Sequence, residues 1–248
     1  MAQFARYDLS HQKDDLDKSI LHNTEAILLP PMFWTSLDMV QTLFHLAVAL
    51  MKRCEKFEQP EDIKYSIEYL RHLQRFPLDS FDIPRTYFIA SFIRALSTQV
   101  QLNVGNGTQG IKEMVVLCNE LFSSNNSEDV PTAAFWYLHR AVAHVESNRD
   151  FHTEVLDELI ECLRGAVKVC MSASHYVMLE LAKTLNTRFM QTHSKEDYEE
   201  ATVLVERILE PGGCPDSFWV IASSLATRSE GTRLNSSHVV TSRMPSSA

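Results

Sequence analysis

The chain has 248 residues, of which 45% are hydrophobic and 22% charged, a composition typical of a globular protein with a substantial core. The formal net charge is -9 and Lys and Arg form no cluster, which excludes a nucleic-acid-binding surface and disfavours binding to an anionic membrane. A basic or neutral partner surface is favoured. Seven glycines and nine prolines are few turn residues for this length, which favours long helices over a β-sandwich or an α/β fold.

A pattern repeats along the chain at intervals of 42–48 residues. Segments beginning at Arg6, Arg53 and Arg188 each place an apolar residue ten positions after the arginine, behind an acidic cluster, with a small residue three positions later. Two looser copies lie between the second and third of these segments. The five apolar anchors are Leu16, Ile63, Ile111, Leu156 and Tyr198. Regular spacing of this size is typical of stacked structural repeats.

In chain order, the pattern predicts a helix around the first anchor and then an alternation of first and second helices. Acidic clusters such as Asp14–Asp15 and Glu61–Asp62 lie where the second helices begin, where they complement the helix dipole. The first helices are predicted to begin after a proline and an aromatic doublet, because proline suits the start of a helix. These starts follow Pro31, Pro84, Pro131 and Pro215, and one unit opens at Ser174 instead.

The predicted fold is all-α, an α-solenoid of about five stacked antiparallel helix pairs over residues 1–228. A single pair cannot bury its own apolar face, whereas stacked pairs can, and small residues such as Ala47, Ser66 and Ala182 permit the close approach. Residues 229–248 are rich in Ser and lack apolar periodicity, so they are predicted to be a disordered or non-native tail. Because the array is cut within a helix at both ends, we expect a fragment of a longer protein that could oligomerise through uncapped ends.

Two stretches of one unit resemble a known repeat family. Leu-Ala-x-x-Leu-x-x-Arg-Phe at 181–189 and Asp-x-x-x-Ala at 197–201 are similar to degenerate tetratricopeptide-like arrays of fungal proteins, which often precede a CHAT peptidase module. The resemblance covers roughly residues 1–228 and implies a superhelix whose first helices line a concave face. The unit is longer than the ~34 residues of a standard tetratricopeptide, and the usual glycine of its first helix is missing. HEAT-like stacking therefore stays open.

The cysteines and the apolar runs bear on localisation. The five cysteines are odd in number, far apart and form no Cys-x-x-Cys pair, which predicts buried thiols in a reducing compartment over disulfides or a metal site. They are Cys54, Cys118, Cys162, Cys170 and Cys214. No apolar run approaches the ~20 residues of a membrane span, and the N-terminus has no signal-peptide core. We therefore predict a cytoplasmic protein.

Candidate catalytic and cofactor sites are weak in this sequence. Gly105–Gly110 matches the spacing of a dinucleotide-binding loop, but a phosphate cradle needs a βαβ unit, and both flanks are better explained as helices. His139 and His144 are five residues apart, so they do not share one helix face as metal ligands would. Cys170 and His175 are neighbours in sequence without any sign of an activated thiolate. The prediction is that the chain has no catalytic site, cofactor or metal.

The recurring arginines admit two interpretations. In the structural one, each Arg reaches the acidic start of its own second helix or a neighbouring carbonyl, since a guanidinium satisfies several acceptors at once. In the functional one, Arg6, Arg53 and Arg188 form a basic ladder on the concave face that captures a carboxylate or an acidic peptide. The resemblance then implies further contacts on the first helices, at Lys52, Arg94, Arg140, Lys183 and Asn186. The aromatic doublets are interpreted as core and inter-repeat packing.

The favoured function is a non-enzymatic protein-interaction scaffold that binds a peptide or helix in a concave groove. The alternative is the regulatory or sensing arm of a larger enzyme, such as a CHAT-type peptidase, whose catalytic module lies outside this chain. The third is a nucleotide-binding enzyme that uses the Gly105–Gly110 loop. The sequence of a repeat scaffold does not identify the protein that it binds.

Overall fold

The computed structural model describes residues 13–29, 35–123, 129–147 and 153–209, and within these ranges the regular structure is entirely helical. The helices are α1 Lys13–Ile27, α2 Ser36–Phe57, α3 Pro60–Leu73, α4 Arg85–Gln101, α5 Gly107–Ser123, α6 Asp129–Ser147, α7 Thr153–Val169, α8 Ser174–Thr192 and α9 Lys195–Ile208. The first helices of the predicted pairs are α2, α4, α6 and α8, and the second helices are α1, α3, α5, α7 and α9. Short 3₁₀ turns at Leu78–Phe81 and Met171–Ala173 precede α4 and α8. The predicted all-α class is confirmed.

The five anchors each lie in a second helix, as their spacing predicts. The side chains at four of them are fully buried, and Tyr198 is half-buried. The buried anchors are Leu16, Ile63, Ile111 and Leu156. Because each anchor opens an amphipathic helix, its burial fixes which face of that helix packs inward.

The starts of the first helices follow the predicted positions with one difference. Helix α4 begins directly after Pro84, and α8 begins at Ser174. Helix α6 begins at Asp129, two residues before Pro131, and not after it as predicted; the first turn needs no intrahelical N–H donor, so proline is accommodated there. The starts predicted after Pro31 and Pro215 involve residues outside the described ranges.

Helix α2 carries its own start signal. The Thr35 Oγ1 accepts a hydrogen bond from the Asp38 N–H at 3.1 Å, and the Thr35 N–H donates to the Asp38 carboxylate at 3.2 Å. This reciprocal pair is a capping box, which satisfies backbone donors that the helix leaves unpaired.

The chain divides into two compact units, Met1–Asp150 and Phe151–Ala248. In the first unit consecutive helices pack from α1 to α6, and α4 also packs against both α2 and α6. The Ser66 hydroxyl donates to the Ala47 carbonyl at 2.7 Å, with both residues fully buried. This contact confirms that small residues let α2 and α3 approach closely.

In the second unit α8 packs against both α7 and α9. Its core includes a cluster of Met178, Leu179, Ala182, Val205 and Ile208, with Val167 of α7 packed against it. A single continuous array over residues 1–228 stays a prediction, and the predicted tail at 229–248 lies outside the described residues.

Cys54, Cys118, Cys162 and Cys170 are buried thiols, as predicted at these positions. Burial raises the pKa of the Cys54 thiol to about 11, so this thiol is protonated at neutral pH and is a poor nucleophile. Cys214 lies outside the described residues. Among the helices described, none is both long and apolar enough to cross a membrane.

Candidate functional site

Arg53, near the end of α2, joins three helices of the first unit. Its Nε and Nη2 donate to the two carboxylate oxygens of Asp62, at 2.6 and 2.8 Å, and Asp62 is the third residue of α3. Its Nη1 donates to Asp17 of α1 at 2.9 Å. The side chain of Asp62 is buried, so this bidentate pair satisfies a carboxylate that water does not reach.

Arg188 of α8 has the same arrangement in the second unit. Its Nε and Nη2 donate to Asp197, the third residue of α9, at 2.8 and 2.5 Å, and its Nη1 donates to Asp157 of α7 at 2.5 Å. Asp197 is buried, as Asp62 is. We call each of these three-helix arrangements an arginine clamp.

The two arginine clamps confirm the predicted contact between the arginine and the acidic start of its own second helix. Hydrogen bonds to the carboxylates raise the pKa of Arg53 and of Arg188 above the ordinary value for arginine. Both guanidinium groups therefore stay charged and already bind two carboxylates each. Capture of a partner's carboxylate by these arginines stays a prediction, and Arg6 lies outside the described residues.

A second ion pair recurs between successive second helices. Arg71 of α3 binds both carboxylate oxygens of Glu113 in α5, at 3.1 and 2.7 Å. Arg164 of α7 binds both carboxylate oxygens of Glu200 in α9, with its Nε at 3.0 Å. In both pairs the arginine lies eight residues after one anchor and the glutamate two residues after the next. Sequence analysis missed this pair, although its register relative to the anchors is visible in the sequence.

Three of the predicted peptide contacts lie on α2, α4 and α6, and α4 packs against both of the other two helices. Arg94 of α4 donates to both carboxylate oxygens of Glu55 in α2, with its Nε at 2.8 Å. Lys52 lies one helical turn before Glu55 and is half-buried. The Ser97 hydroxyl of α4 donates to the Tyr137 carbonyl of α6 at 2.9 Å, and the exposed Arg140 lies one turn beyond Tyr137.

The aromatic doublets flank these charged residues. Two of the aromatic doublets lie in the described ranges, and in each of them one ring is buried, Phe88 or Phe135, while its neighbour, Tyr87 or Trp136, is exposed to 51% or 37%. The Tyr87 ring of α4 still packs edge-on against Phe44 of α2, with 5.5 Å between the ring centroids, which agrees with the interpretation of the doublets as packing residues. The doublets at 33–34 and 218–219 lie outside the described residues. We define the first-helix surface as Lys52, Glu55, Tyr87, Arg94, Trp136 and Arg140.

Arg94 is the electrostatic centre of the first-helix surface. The hydrogen-bonded Glu55 carboxylate raises the pKa of Arg94, burial opposes that effect, and the nearby Tyr137 and Tyr87 hydroxyls add to it. Arg94 of α4 is thus hydrogen-bonded to Glu55 of α2 and lies in the electrostatic field of Tyr87 of α4 and Tyr137 of α6.

The remaining predicted contacts lie in the second unit. Lys183 of α8 pairs with the buried Glu180 one turn earlier, at 3.3 Å, and Asn186 is half-buried on the same helix. Their part in binding stays a prediction.

The Gly105–Gly110 segment joins two helices, as predicted for its flanks. The residues before it end α4, and Gly107 begins α5. Gly105 has a φ of +86°, which favours glycine, and a Cβ at Gly110 would approach the Val100 side chain to 3.0 Å. The Asn106 carboxamide oxygen accepts from the Gln109 N–H at 3.2 Å and caps α5. A tight turn, a cap and close helix packing explain these residues without a phosphate.

The other chemical candidates have structural partners. His144 makes a 3.0 Å hydrogen bond with the Asn103 carboxamide oxygen, and the His139 ring stacks on Phe135. Among the described residues, no group of three or more His, Cys, Asp and Glu side chains could hold a metal ion.

A surface cavity of about 360 Å³ lies between the start of α4 and the end of α5, and sequence analysis did not indicate it. Arg85 spans this cavity, with its guanidinium on Glu120 at 2.7 and 3.0 Å and its backbone N–H on Asp79 at 3.0 Å. The charges of Arg85 and Glu120 thus pair with each other, and Asp79 is held by the Arg85 backbone.

Comparison of the chain with protein-family models, with curated proteins and with solved structures returns no match. The functional proposal therefore rests on the geometry of the described residues.

Proposed function

We propose that this chain is a cytoplasmic, non-enzymatic protein-interaction scaffold, built as an α-solenoid of about five stacked antiparallel helix pairs. It binds a peptide or helix on the exposed surface of its first helices. Solenoids commonly use the surface lined by equivalent helices of successive repeats for this purpose.

The observation that carries this proposal is the arginine clamp. The same three side chains occur at the same positions relative to the anchors in both units, and each set joins a first helix to two second helices. Equivalent contacts at a repeating spacing are expected when helix pairs stack in one consistent way. They support the repeat proposal more directly than apolar periodicity, which any packed helix has.

The first-helix surface supports the binding part of the proposal. It combines exposed Tyr and Trp rings with arginine side chains, and these residue types are enriched in the parts of interfaces that contribute most to affinity. Its Arg94–Glu55 pair is bidentate and holds the central charge in place between α2 and α4. A surface ordered before binding loses little side-chain entropy when a partner docks.

A peptide-library selection on the immobilised chain tests the proposal. We expect enriched peptides to bind saturably and to lose about tenfold or more in affinity when Tyr87→Ala removes an exposed ring from α4, since ring truncation at an interface centre costs about 2 kcal/mol or more. Tyr65→Ala is the matched control, because Tyr65 of the second helix α3 is exposed to 52%, as much as Tyr87. Equal losses from both variants, or no enriched peptide at all, would contradict the proposal.

A further inference from the structure

Charge is divided between the two kinds of helix. Acidic residues outnumber Lys and Arg in each of the described second helices, α1, α3, α5, α7 and α9. The opposite holds in the first helices α2, α4 and α8. In α6 the two acidic residues lie at the helix ends, and Arg140 is the charge between them.

This division makes the first-helix surface a basic region of an acidic protein. Helix α4 contains no acidic residue, and its charges are Arg85 and Arg94. The first-helix surface has three cationic side chains and one carboxylate, Glu55, which is already bonded to Arg94. The net charge of -9 for the whole chain therefore has the same sign as the second helices, whereas the charges of the first-helix surface are mostly positive.

Apolar area accompanies the cationic side chains. Tyr87 and Trp136 remain exposed beside Arg94 and Arg140, although their doublet partners are fully buried. Exposed aromatic rings provide apolar packing area at a low cost in side-chain entropy. The neighbouring cations make the electrostatic potential of this surface positive, so it attracts carboxylates. The combination fits a partner that has both carboxylates and apolar side chains.

We propose that the first-helix surface binds an acidic peptide segment. The carboxylates of that segment pair with the cation at Arg140, in the positive field of Lys52 and Arg94, and its apolar side chains pack on Tyr87 and Trp136. This inference rests on the proposed scaffold function and names the chemistry of its partner. The acidic partner differs from the basic or neutral partner that the net charge of the whole chain suggests. Charge complementarity acts over about one Debye length, roughly 10 Å in dilute salt, so the charges at the binding surface matter more than the net charge of the chain.

The test uses two fluorescein-labelled twelve-residue peptides in a fluorescence anisotropy titration of the full chain. One repeats Glu-Leu-Glu-Phe three times, and the other repeats Lys-Leu-Lys-Phe, so the apolar residues are the same. We expect saturable binding of the Glu peptide, about tenfold weaker at 300 mM than at 50 mM NaCl, and no saturable binding of the Lys peptide. Preference for the Lys peptide, or no dependence on salt, overturns the inference.

Two charge-reversal variants locate the binding surface. Arg140→Glu should weaken binding of the Glu peptide about tenfold, and Arg207→Glu should leave it within about twofold. Arg207 is an exposed cation on the second helix α9, so the two variants change the net charge equally. Circular dichroism establishes that both variants keep the helical fold. Equal weakening by both variants means that only net charge matters, and it overturns the assignment to this surface.

The remaining outcomes separate this inference from the scaffold proposal. If the Glu peptide fails to bind while library selection yields uncharged peptides that require Tyr87, the scaffold stands and the acidic partner is wrong. If no peptide binds at all, both are wrong. If light scattering shows a concentration-dependent dimer that Arg140→Glu abolishes, the occupant is the acidic face of a second copy, and the peptide inference is overturned.

Discussion

At the scale of single residues, each arginine clamp concentrates several interactions on one side chain. Arg53 satisfies the buried Asp62 and also reaches Asp17, 36 residues earlier in the chain. A buried carboxylate that loses its only cation retains the desolvation cost without the compensating attraction. The clamp arginines therefore matter more to stability than ion pairs exposed on one helix, such as Lys64–Glu61, which are worth about 0.5 kcal/mol.

We predict that Arg53→Ala lowers the free energy of unfolding by about 3 kcal/mol, since it leaves Asp62 buried and unpaired. Arg53→Lys should lose less, because it keeps the charge but not the bidentate fork. Urea denaturation measures both changes, with Lys56→Ala on the exposed face of α2 as a control that stays within about 0.5 kcal/mol. A stability loss for Arg53→Ala no larger than this control would show that the clamp is not structural.

His45, half-buried on α2, gives the protein a pH dependence. Burial lowers the pKa of His45 below its ordinary value of 6.5. The unfolded chain therefore binds this proton more readily than the folded chain does. The contribution of His45 to stability is complete above about pH 6.5 and is lost as the pH falls through its lowered folded-state pKa.

We predict that His45→Gln reduces the loss of stability between pH 7.5 and pH 5. Urea denaturation of the wild-type protein and of His45→Gln at the two pH values measures this difference. The two proteins have the same carboxylates, so the pH dependence that those carboxylates cause cancels in the comparison. Titration of the His45 ring by nuclear magnetic resonance should place its pKa below 6.5. A normal or raised value would contradict the prediction.

At the scale of elements, the turn from α4 to α5 shows how short the connections within the first unit are. Helix α4 ends at Gln101 and α5 begins at Gly107, and both Asn103 and Gly105 have positive φ angles between them. The Val104 N–H donates back to the Gln99 carbonyl at 3.1 Å. Two left-handed residues reverse the chain within a few positions, and this reversal places the two helices side by side.

We predict that Gly105→Ala lowers the free energy of unfolding by about 1 kcal/mol, because a Cβ strains the left-handed backbone at this position. Gly107→Ala is the matched control in the same loop. Its Cβ would meet Val145 at 3.4 Å and Val100 at 3.8 Å, which are ordinary contacts, and its φ is not left-handed, so stability should change by less than about 0.5 kcal/mol. Thermal and urea unfolding compare them, and equal effects would contradict the backbone explanation.

At the scale of the whole molecule, contacts are local along the chain. The helices of each unit pack against their neighbours in sequence, and in the first unit some also pack against the next helix but one. When each element depends mainly on helices close to it in sequence, local opening does not require global unfolding.

We predict that Arg188→Ala reduces amide hydrogen-exchange protection in α8 and α9 and leaves α2 and α3 unchanged. Arg53→Ala should have the reverse effect. Mass spectrometry of peptides from each helix measures both variants, each serving as the other's control. Loss of protection in all four helices from either variant would show that the two compact units unfold as one cooperative structure.

Sequence by itself was enough to predict the helices and the place of the anchors in the second helices, and it offered the contact of Arg53 with the acidic start of α3 as one of two interpretations. All of these depend on spacing within about ten residues, where helix geometry determines which side chains share a face. The same rules explained the flanks of Gly105–Gly110 as helices.

Tertiary structure alone decided the contacts between distant segments. These include the third bond of each clamp, the Arg71–Glu113 and Arg164–Glu200 pairs, and the meeting of Arg94 with Glu55. It also decided that Phe88 is buried and Tyr87 exposed, where the pattern assigned both rings to core and inter-repeat packing without distinguishing them. Such outcomes depend on which helices pack together and at what rotation, and the apolar period of one helix does not contain that information.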